Sequence, residues 1–302
     1  MALLLPALFL LATNETFRDP TNLSNILAQS SMVGIAAVGM TAVMILGGFD
    51  LSIGATAALC GLVAVVVFRT GDPLSMALGV FACVFTGALI GAFNGTLVSK
   101  VGINPLIATL AMASLIRGIV LIASEGTIYR AEGAAMSFTV LALGRWHNFP
   151  IAGFFFAGAV LATWIILRFS KFGRWVYAIG GNEKAARLAG VPVGRVMIGC
   201  YALMGAFAAV SGLLFTARTG SALTTTGVGL EIDAITAAVI GGTRLGGGSG
   251  AVFGTVLGVL LLGVIRNGLN LSGVSPFWQP FIIGLVLLFT VAISVKTSGS
   301  KG

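Results

Sequence analysis

Residues 180–195 contain the side chains whose types and spacing point most directly to a task. Asn182 can cap a helix, because its side-chain oxygen accepts a free amide hydrogen of the first turn. The negative charge of Glu183 in that turn interacts favourably with the positive end of the helix dipole. Its i,i+4 spacing to Arg187 allows an ion pair. Gly190 suits the left-handed position that ends a helix, and Pro192 prevents continuation. The pattern predicts a short helix with defined ends.

One face of this predicted helix is small and apolar, with Ala185, Leu188 and Ala189. Such a face suits docking into a groove of another protein. An ordinary amphipathic linker that only supplies charge would have the same pattern. The residues alone favour neither interpretation.

The other chemistry-bearing residues do not form an enzyme site. Cys60, Cys83 and Cys200 lie within apolar runs without paired spacing, and the single His147 lies in a polar connection. No nucleophile with a base, metal-ligand cluster or phosphate-binding P-loop occurs in the sequence. An intramembrane enzyme is therefore excluded, and neither a cofactor nor a metal is expected.

Composition identifies the solvent of this chain as lipid. Only 9% of the 302 residues are charged and 57% are hydrophobic, whereas a soluble domain has about 25% charged residues. Disorder is excluded because it requires low hydrophobicity. Excess Lys and Arg in a membrane chain sets orientation, so the net charge of +8 does not indicate nucleic-acid binding.

Apolar runs predict an all-α, polytopic membrane bundle of about ten transmembrane helices in a single domain, residues 1–302. The predicted spans are residues 2–12, 26–46, 55–68, 74–98, 105–123, 151–167, 196–217, 232–240, 252–265 and 281–295. The eighth is short enough to be broken or only partly spanning.

Charge distribution predicts which side each connection faces. The segment 168–195, called the basic segment below, contains six basic residues and one acid, so we expect it to be cytoplasmic. Alternation of ten spans then makes both termini cytoplasmic and segment 124–150 periplasmic. The basic residues predicted on the cytoplasmic side include Lys100, Lys296 and Lys301. The acids predicted on the other side are Glu15, Asp19, Asp72, Glu125, Glu132 and Glu231.

Glycine is abundant, with 43 residues, and forms two related segments. Residues 47–54 (GGFDLSIG) and 241–248 (GGTRLGGG) share Gly-Gly-x-x-Leu-x-x-Gly, which predicts an internal repeat of tight or broken backbone. We expect these positions to be turns or caps: Gly47, Gly48, Asp50, Asp233, Gly241 and Gly242. An acid within the membrane is also a candidate functional group, but capping is the better interpretation for both Asp50 and Asp233.

The chain resembles a known family. Residues 183–190 match the Glu-Ala-Ala…Gly coupling motif of ABC importer permeases, with Lys184 after the Glu. Residues 39–54, 104–118, 180–195, 230–250 and 267–274 are, in order, similar to the ribose-type monosaccharide permeases. One departure is the start, which lacks the polar cytoplasmic segment usual before the first span.

The resemblance implies a binding-protein-dependent importer of the bacterial inner membrane. A second permease subunit, identical or paralogous, completes the pathway; a separate cytoplasmic ATP-binding subunit drives it; and a periplasmic sugar-binding protein delivers a monosaccharide or similar polyol. The permease itself is then not an enzyme, and it contacts membrane lipid but no nucleic acid. The residues that the resemblance assigns to ATPase coupling are Asn182, Glu183, Ala185, Ala186, Arg187 and Gly190.

A neutral sugar offers hydroxyl groups, which amide and hydroxyl side chains bind better than charges do. The candidates for the translocation pathway are Ser52, Asn94, Asn104, Asn267 and Asn270. Helix capping or bonding between helices is the alternative for each. The alternative function is a ten-span secondary transporter driven by an ion gradient, which would need titratable groups within its spans. The sequence offers few such groups, and a secondary transporter would have no use for a docking helix.

Overall fold

A computed structural model describes residues 15–68, 72–131 and 133–299 of the chain. The first predicted span, residues 2–12, lies outside the described residues. Helices make up most of the described chain, and the two short strand pairs lie in the connections.

The helices follow one another with few long connections. They are α1 (Glu15–Arg18), α2 (Pro20–Ile45), α3 (Ile53–Val67), α4 (Pro73–Thr96), α5 (Pro105–Ser124), α6 (Val140–Leu143), α7 (Ile151–Phe169), α8 (Lys171–Gly181), α9 (Glu183–Leu188), α10 (Val193–Thr219), α11 (Leu230–Ile240), α12 (Val252–Leu271) and α13 (Gln279–Gly299). A π turn (Leu97–Val101) extends α4, and 3-10 turns occur at Gly133–Thr139 and Pro276–Trp278.

Three of the long helices begin with the same local device. Asp19, Asp72 and Asn104 cap α2, α4 and α5, and each accepts a backbone N–H of the first turn. A proline follows each cap directly, where its missing N–H costs no hydrogen bond and its fixed φ favours the helix. The boundaries of these helices therefore follow from local sequence.

Six helices of the described residues are long and apolar enough to cross a membrane, which confirms the predicted helical membrane bundle. They are Pro20–Ile45, Pro73–Val101, Pro105–Ser124, Ile151–Phe169, Val193–Thr219 and Val252–Leu271. Ile53–Val67 and Pro276–Ala292 are apolar but shorter. α11 has 11 residues, about 16 Å at 1.5 Å per residue, and is too short to span the core alone. The count of ten spans and the orientation stay predictions.

Helix α2 forms the centre of the bundle. In its most apolar 18-residue window, 83% of the residues are buried. It contacts α7, α10, α11 and α12, while α10 also packs against α3 and α4. Because α2 is surrounded by protein, Ser31, Thr41 and other polar residues can lie within it when they bond to neighbouring backbone or side chains.

Glycines let α4 and α10 approach until their backbones touch. A Cβ at Gly87 would overlap the Gly205 carbonyl, and one at Gly91 would overlap the Tyr201 carbonyl. A Cβ at Gly95 would lie 2.7 Å from the Ile198 Cα. This is the role expected of small residues at intervals of four in a membrane helix.

Segment 124–150 contains three short strands that helical periodicity did not predict. Tyr129–Arg130 pairs antiparallel with Ser221–Ala222, and Arg145–Trp146 pairs with Phe149–Pro150. The first pair ties this segment to the connection between α10 and α11.

Gly91→Ala should destabilise the bundle by about 1–3 kcal/mol, because the added methyl group overpacks the α4–α10 contact. The measurement is the thermal unfolding midpoint of the detergent-solubilised protein. Gly118→Ala is the matched control, since a Cβ at Gly118 would meet nothing within 4 Å. Equal midpoints for the two variants would contradict the close backbone contact.

Candidate functional site

Within the basic segment, the two short helices α8 and α9 are separated by a single residue that caps both of them. Asn182 is both the C-cap of α8 and the N-cap of α9. Its N–H bonds to the Ala178 carbonyl of α8 at 3.0 Å. Its side-chain oxygen accepts the Ala185 N–H at 3.0 Å. No flexible residue therefore separates α8 from α9.

Helix α9 presents a charged and apolar surface to the outside. Arg187 pairs with Glu183 at 2.7 Å, and Leu188 is 90% exposed, an unusual exposure for a leucine. Gly190 has φ +80° and its N–H bonds to the Arg187 carbonyl at 3.1 Å, which ends the helix. Ala186, expected with the coupling residues, is buried and instead anchors α9 to the bundle.

The first glycine segment breaks the chain between α2 and α3 at residues 46–52, called the first break below. Gly47, with φ +93°, bonds to the Met44 carbonyl, and the Gly48 N–H bonds to the Val43 carbonyl. These two bonds satisfy carbonyl groups at the end of α2, as in a Schellman motif. A side chain at Gly47 would strain this left-handed turn.

The second glycine segment ends α11 in the same way and forms the second break, residues 241–251. The N–H groups of Gly242 and Thr243 bond to the carbonyls of Val239 and Ala238, and Gly242 has φ +87°. Gly242 therefore corresponds to Gly47, so the structural repeat is shifted by one residue from the sequence alignment, which matched Gly241 to Gly47.

The two breaks meet at the end of the bundle where α8 lies. The Gly248 N–H donates to the Ile45 carbonyl at 2.8 Å. From α8, the Tyr177 hydroxyl donates to the Gly250 carbonyl at 2.9 Å. Burial raises the pKa of Tyr177, so the phenol stays protonated as a donor.

Asp50, in the first break, lies in a buried polar cluster with two of the pathway candidates. Its carboxylate accepts the Ser52 hydroxyl at 2.6 Å and the Ser52 N–H at 2.8 Å. Asn94, from α4, donates to the Ser52 hydroxyl at 2.9 Å. All three are at most 1% exposed, so Asp50 supports the turn before α3, whose cap position Ser52 occupies.

A cavity of about 440 Å³ separates α9 from the first break. Its lining includes Gly47 and Gly48 of the first break, Glu183 and Arg187 of α9, and also Asn104 and Tyr201. The Tyr201 hydroxyl donates to the Phe49 carbonyl at 3.0 Å. Open space of this size leaves room for α9 and the first break to move relative to each other.

The predicted cap at Asp233 is wrong. The cap position of α11 is Gly229, and Asp233 instead pairs with Arg266 of α12 at 2.6 Å. The two side chains are 16% and 31% exposed. An acid placed in the first turn of a helix resembles a cap in sequence, whereas its partner here is 33 positions away.

Arg117 holds the connection between α10 and α11 against α5. Its guanidinium donates to the carbonyls of Thr224 and Thr226, the latter at 3.1 Å. No sequence pattern predicted this contact, because both acceptors are backbone atoms more than 100 positions away. The contact ties the connection that precedes α11 to α5.

The remaining pathway candidates have separate partners. Asn267 and Asn22 exchange two side-chain hydrogen bonds, at 2.8 and 3.0 Å, between α12 and α2. Asn270 accepts from Gln279 at 2.8 Å, and Asn104 caps α5. Asn267 also lines a small cavity of about 50 Å³ with Gln29, Ser30 and Arg266. The five candidates therefore do not form one site in this conformation.

The described residues contain no group of three or more His, Cys, Asp or Glu side chains that could hold a metal ion. Cys60, Cys83 and Cys200 are buried free thiols. The polar side chains described above therefore contact one another through hydrogen bonds and ion pairs.

Comparison with known proteins places these features in a family. The model of the branched-chain amino acid transport system permease component matches residues 22–291. The ribose import permease protein of Bacillus subtilis (strain 168) is 40% identical over 94% of this chain and 88% of its own length. The corresponding protein of Escherichia coli (strain K12) is 39% identical over 98% of this chain and 92% of its own.

The galactose/methyl galactoside import permease protein of Escherichia coli (strain K12) is 35% identical over 94% of this chain and 91% of its own length. No solved structure matches the chain.

Removing one partner of the Asp233–Arg266 pair should lower the free energy of unfolding by about 2 kcal/mol. The effect is smaller than in a fully buried pair because Arg266 is partly exposed. Asp233→Ala and Arg266→Ala should each lower the thermal unfolding midpoint, and the double variant should lower it by less than the two effects added. Additive effects in this double-mutant cycle would show that the ion pair does not link α11 to α12.

Proposed function

The chain belongs to the family of transport-system permease components, and we propose that it is the membrane subunit through which an ATP-driven importer moves a monosaccharide. The observation that carries this proposal is the identity of 39–40% with two ribose import permeases over almost the whole chain. The galactose permease, at 35%, supports the same class of substrate.

We assign coupling to a separate ATP-binding subunit to α9. An exposed helix with a surface leucine beside an ion pair has the chemistry of a docking element, since it offers both apolar area and charge. Its shared residue with α8 makes it a rigid projection that a partner can displace. Glu183, Ala185, Arg187 and Gly190 would shape the docked surface, with Asn182 and Ala186 fixing the helix to the bundle.

The contacts of the charged residues inside the bundle also agree with an energy source outside this subunit. Asp233 is paired with Arg266, and Arg117 is bonded to backbone carbonyls. Asp50 accepts bonds from Ser52 and Asn94 in a buried cluster. A transporter driven by an ion gradient needs groups that exchange protons or ions during the cycle, and these groups are engaged in holding helices together.

The proposal includes the partners that such an importer requires. A second permease subunit would complete the pathway, a binding protein would deliver the sugar on the periplasmic side, and lipid would surround the exposed apolar helix faces. The basic segment would face the cytoplasm and segment 124–150 the periplasm, within a single domain formed by the whole chain.

For the pathway we favour Asn267 among the five candidates. It lines the small cavity between α2 and α12 beside Gln29 and Arg266, whereas Ser52 and Asn94 are enclosed in the Asp50 cluster. The cavity of about 50 Å³ has room for only about one or two water-sized groups. A sugar hydroxyl would enter it after α2 and α12 separate.

The proposed function is tested by uptake into proteoliposomes containing the permease, its ATP-binding subunit and the binding protein. Radiolabelled ribose, galactose and leucine are compared, with and without ATP inside the vesicles. We expect ATP-dependent uptake of a sugar, and its loss in Glu183→Lys, because the added lysine repels Arg187 at the docking surface.

Phe277→Ala is the control, since Phe277 is 92% exposed in the connection before α13 and far along the chain from α9. Uptake of leucine without either sugar would overturn the substrate class. Full uptake by Glu183→Lys would remove α9 from the coupling mechanism.

Asn267→Ala should slow sugar uptake about tenfold if the amide bonds a sugar hydroxyl in the pathway, because the partner hydroxyl then loses its bond. Asn22→Ala is the comparison variant: it removes the same two bonds between α2 and α12, together with the bond from Asn22 to the Phe17 carbonyl, yet Asn22 does not line the cavity. Equal slowing by both variants would assign Asn267 to helix contact alone. Uptake rates are compared at equal amounts of assembled complex.

A further inference from the structure

Three stretches of backbone meet beside α9 without a side chain between them. They are residues 45–47 at the first break, 180–181 at the end of α8 and 247–248 in the second break. The Gly248 N–H donates to the Ile45 carbonyl at 2.8 Å, so a backbone hydrogen bond joins the two breaks directly.

Gly180 lies on top of that hydrogen bond. A Cβ at Gly180 would overlap the Ile45 carbonyl oxygen and come within 2.6 Å of the Gly248 nitrogen, the two atoms that form the bond. From the other side, a Cβ at Gly248 would lie 3.0 Å from the Gly181 Cα, and one at Gly247 would lie 2.9 Å from the Gly47 Cα. Only glycine allows the three stretches to approach this closely.

Two further contacts fix α8 to the same place. Tyr177 lies about one turn before Gly180, and its hydroxyl donates to the Gly250 carbonyl. Val176 and Ile179, on the same helix, are buried in the core. At this same end, α8 is joined to α9 through Asn182, which caps both helices. A force on α9 therefore reaches α8 without an intervening loop.

We propose that α8 transmits the displacement of α9 to both helix breaks at once, with Gly180 and Tyr177 as the positioning residues. The inference deepens the proposed function and rests on it, since it requires that a partner moves α9. The first break leads into α3, which packs on α10, and the second leads into α12, which packs on α2. One movement of α8 would therefore shift both α3 and α12.

The two breaks are suited to this role because neither continues a helix. Their turns depend on Gly47 and Gly242, both in the left-handed region, and their backbone groups bond to each other as well as to their own helices. The cavity of about 440 Å³ between α9 and the first break gives α9 space to move. Coupling through such a path requires an element with two arrangements that both sites bias.

The test uses the assembled transporter in proteoliposomes and measures ATP hydrolysis with and without the sugar-loaded binding protein. Gly180→Ala should reduce the stimulation by the binding protein and the sugar uptake about tenfold, while unstimulated hydrolysis and the amount of assembled complex stay near wild type. A role in folding alone would lower assembly and leave the stimulation per complex unchanged. That second result would overturn the inference.

Gly181→Ala is the matched control, because it is the adjacent glycine and its Cβ would meet nothing within 4 Å. It should retain wild-type stimulation. Tyr177→Phe removes only the bond to Gly250 and should reduce stimulation about fivefold, as expected for one lost hydrogen bond. If Gly180→Ala fails to assemble, Tyr177→Phe decides: normal stimulation in an assembled Tyr177→Phe complex would overturn the inference.

The two proposals fail in different ways. Absence of binding-protein-stimulated hydrolysis in the wild-type complex would refute the proposed function. Stimulation in wild type that persists in both Gly180→Ala and Tyr177→Phe would refute only the transmission through α8.

Discussion

The need to satisfy backbone polar groups away from water determines the rest of this structure. A chain in lipid can leave the helical conformation only where its free N–H and C=O groups find partners inside the protein. Here the two interruptions satisfy part of that need for each other, through the bond from Gly248 to Ile45. The glycines at this contact, the close packing of α8 and the central position of α2 all follow from that requirement.

The same requirement explains the inner charges. Asp233 and Arg266 neutralise each other between α11 and α12, Arg117 uses backbone carbonyls of the α10–α11 connection, and Asp50 accepts hydrogen bonds from Ser52 and Asn94. Each group joins elements that are distant in sequence. Their shared role is to hold short or interrupted helices in place, which agrees with the proposal that a partner subunit supplies the energy for movement.

Local sequence was sufficient to predict the parts of the molecule that local bonds define. The caps at Asn182 and Gly190 and the Glu183–Arg187 pair involve residues within a few positions, and the predicted starts at 74 and 105 agree with α4 and α5. The predicted start at 26 was wrong, because the Asp19 cap and Pro20 begin α2 six residues earlier. The Asp233–Arg266 pair and the Arg117 contacts depend on which helices pack together, which spacing does not reveal. The repeat alignment was wrong by one residue because φ at Gly242, and not the Gly-Gly letters, defines the turn.

The central claim is that α9 is the surface on which a separate ATP-binding subunit acts. Leu188→Cys places a thiol at its most exposed apolar position, in a chain whose described cysteines are buried, and a short thiol-to-amine crosslinker is applied to the assembled transporter. We expect an adduct with the ATP-binding subunit at Leu188→Cys and none at Phe277→Cys. An adduct at Phe277→Cys without one at Leu188→Cys would contradict it.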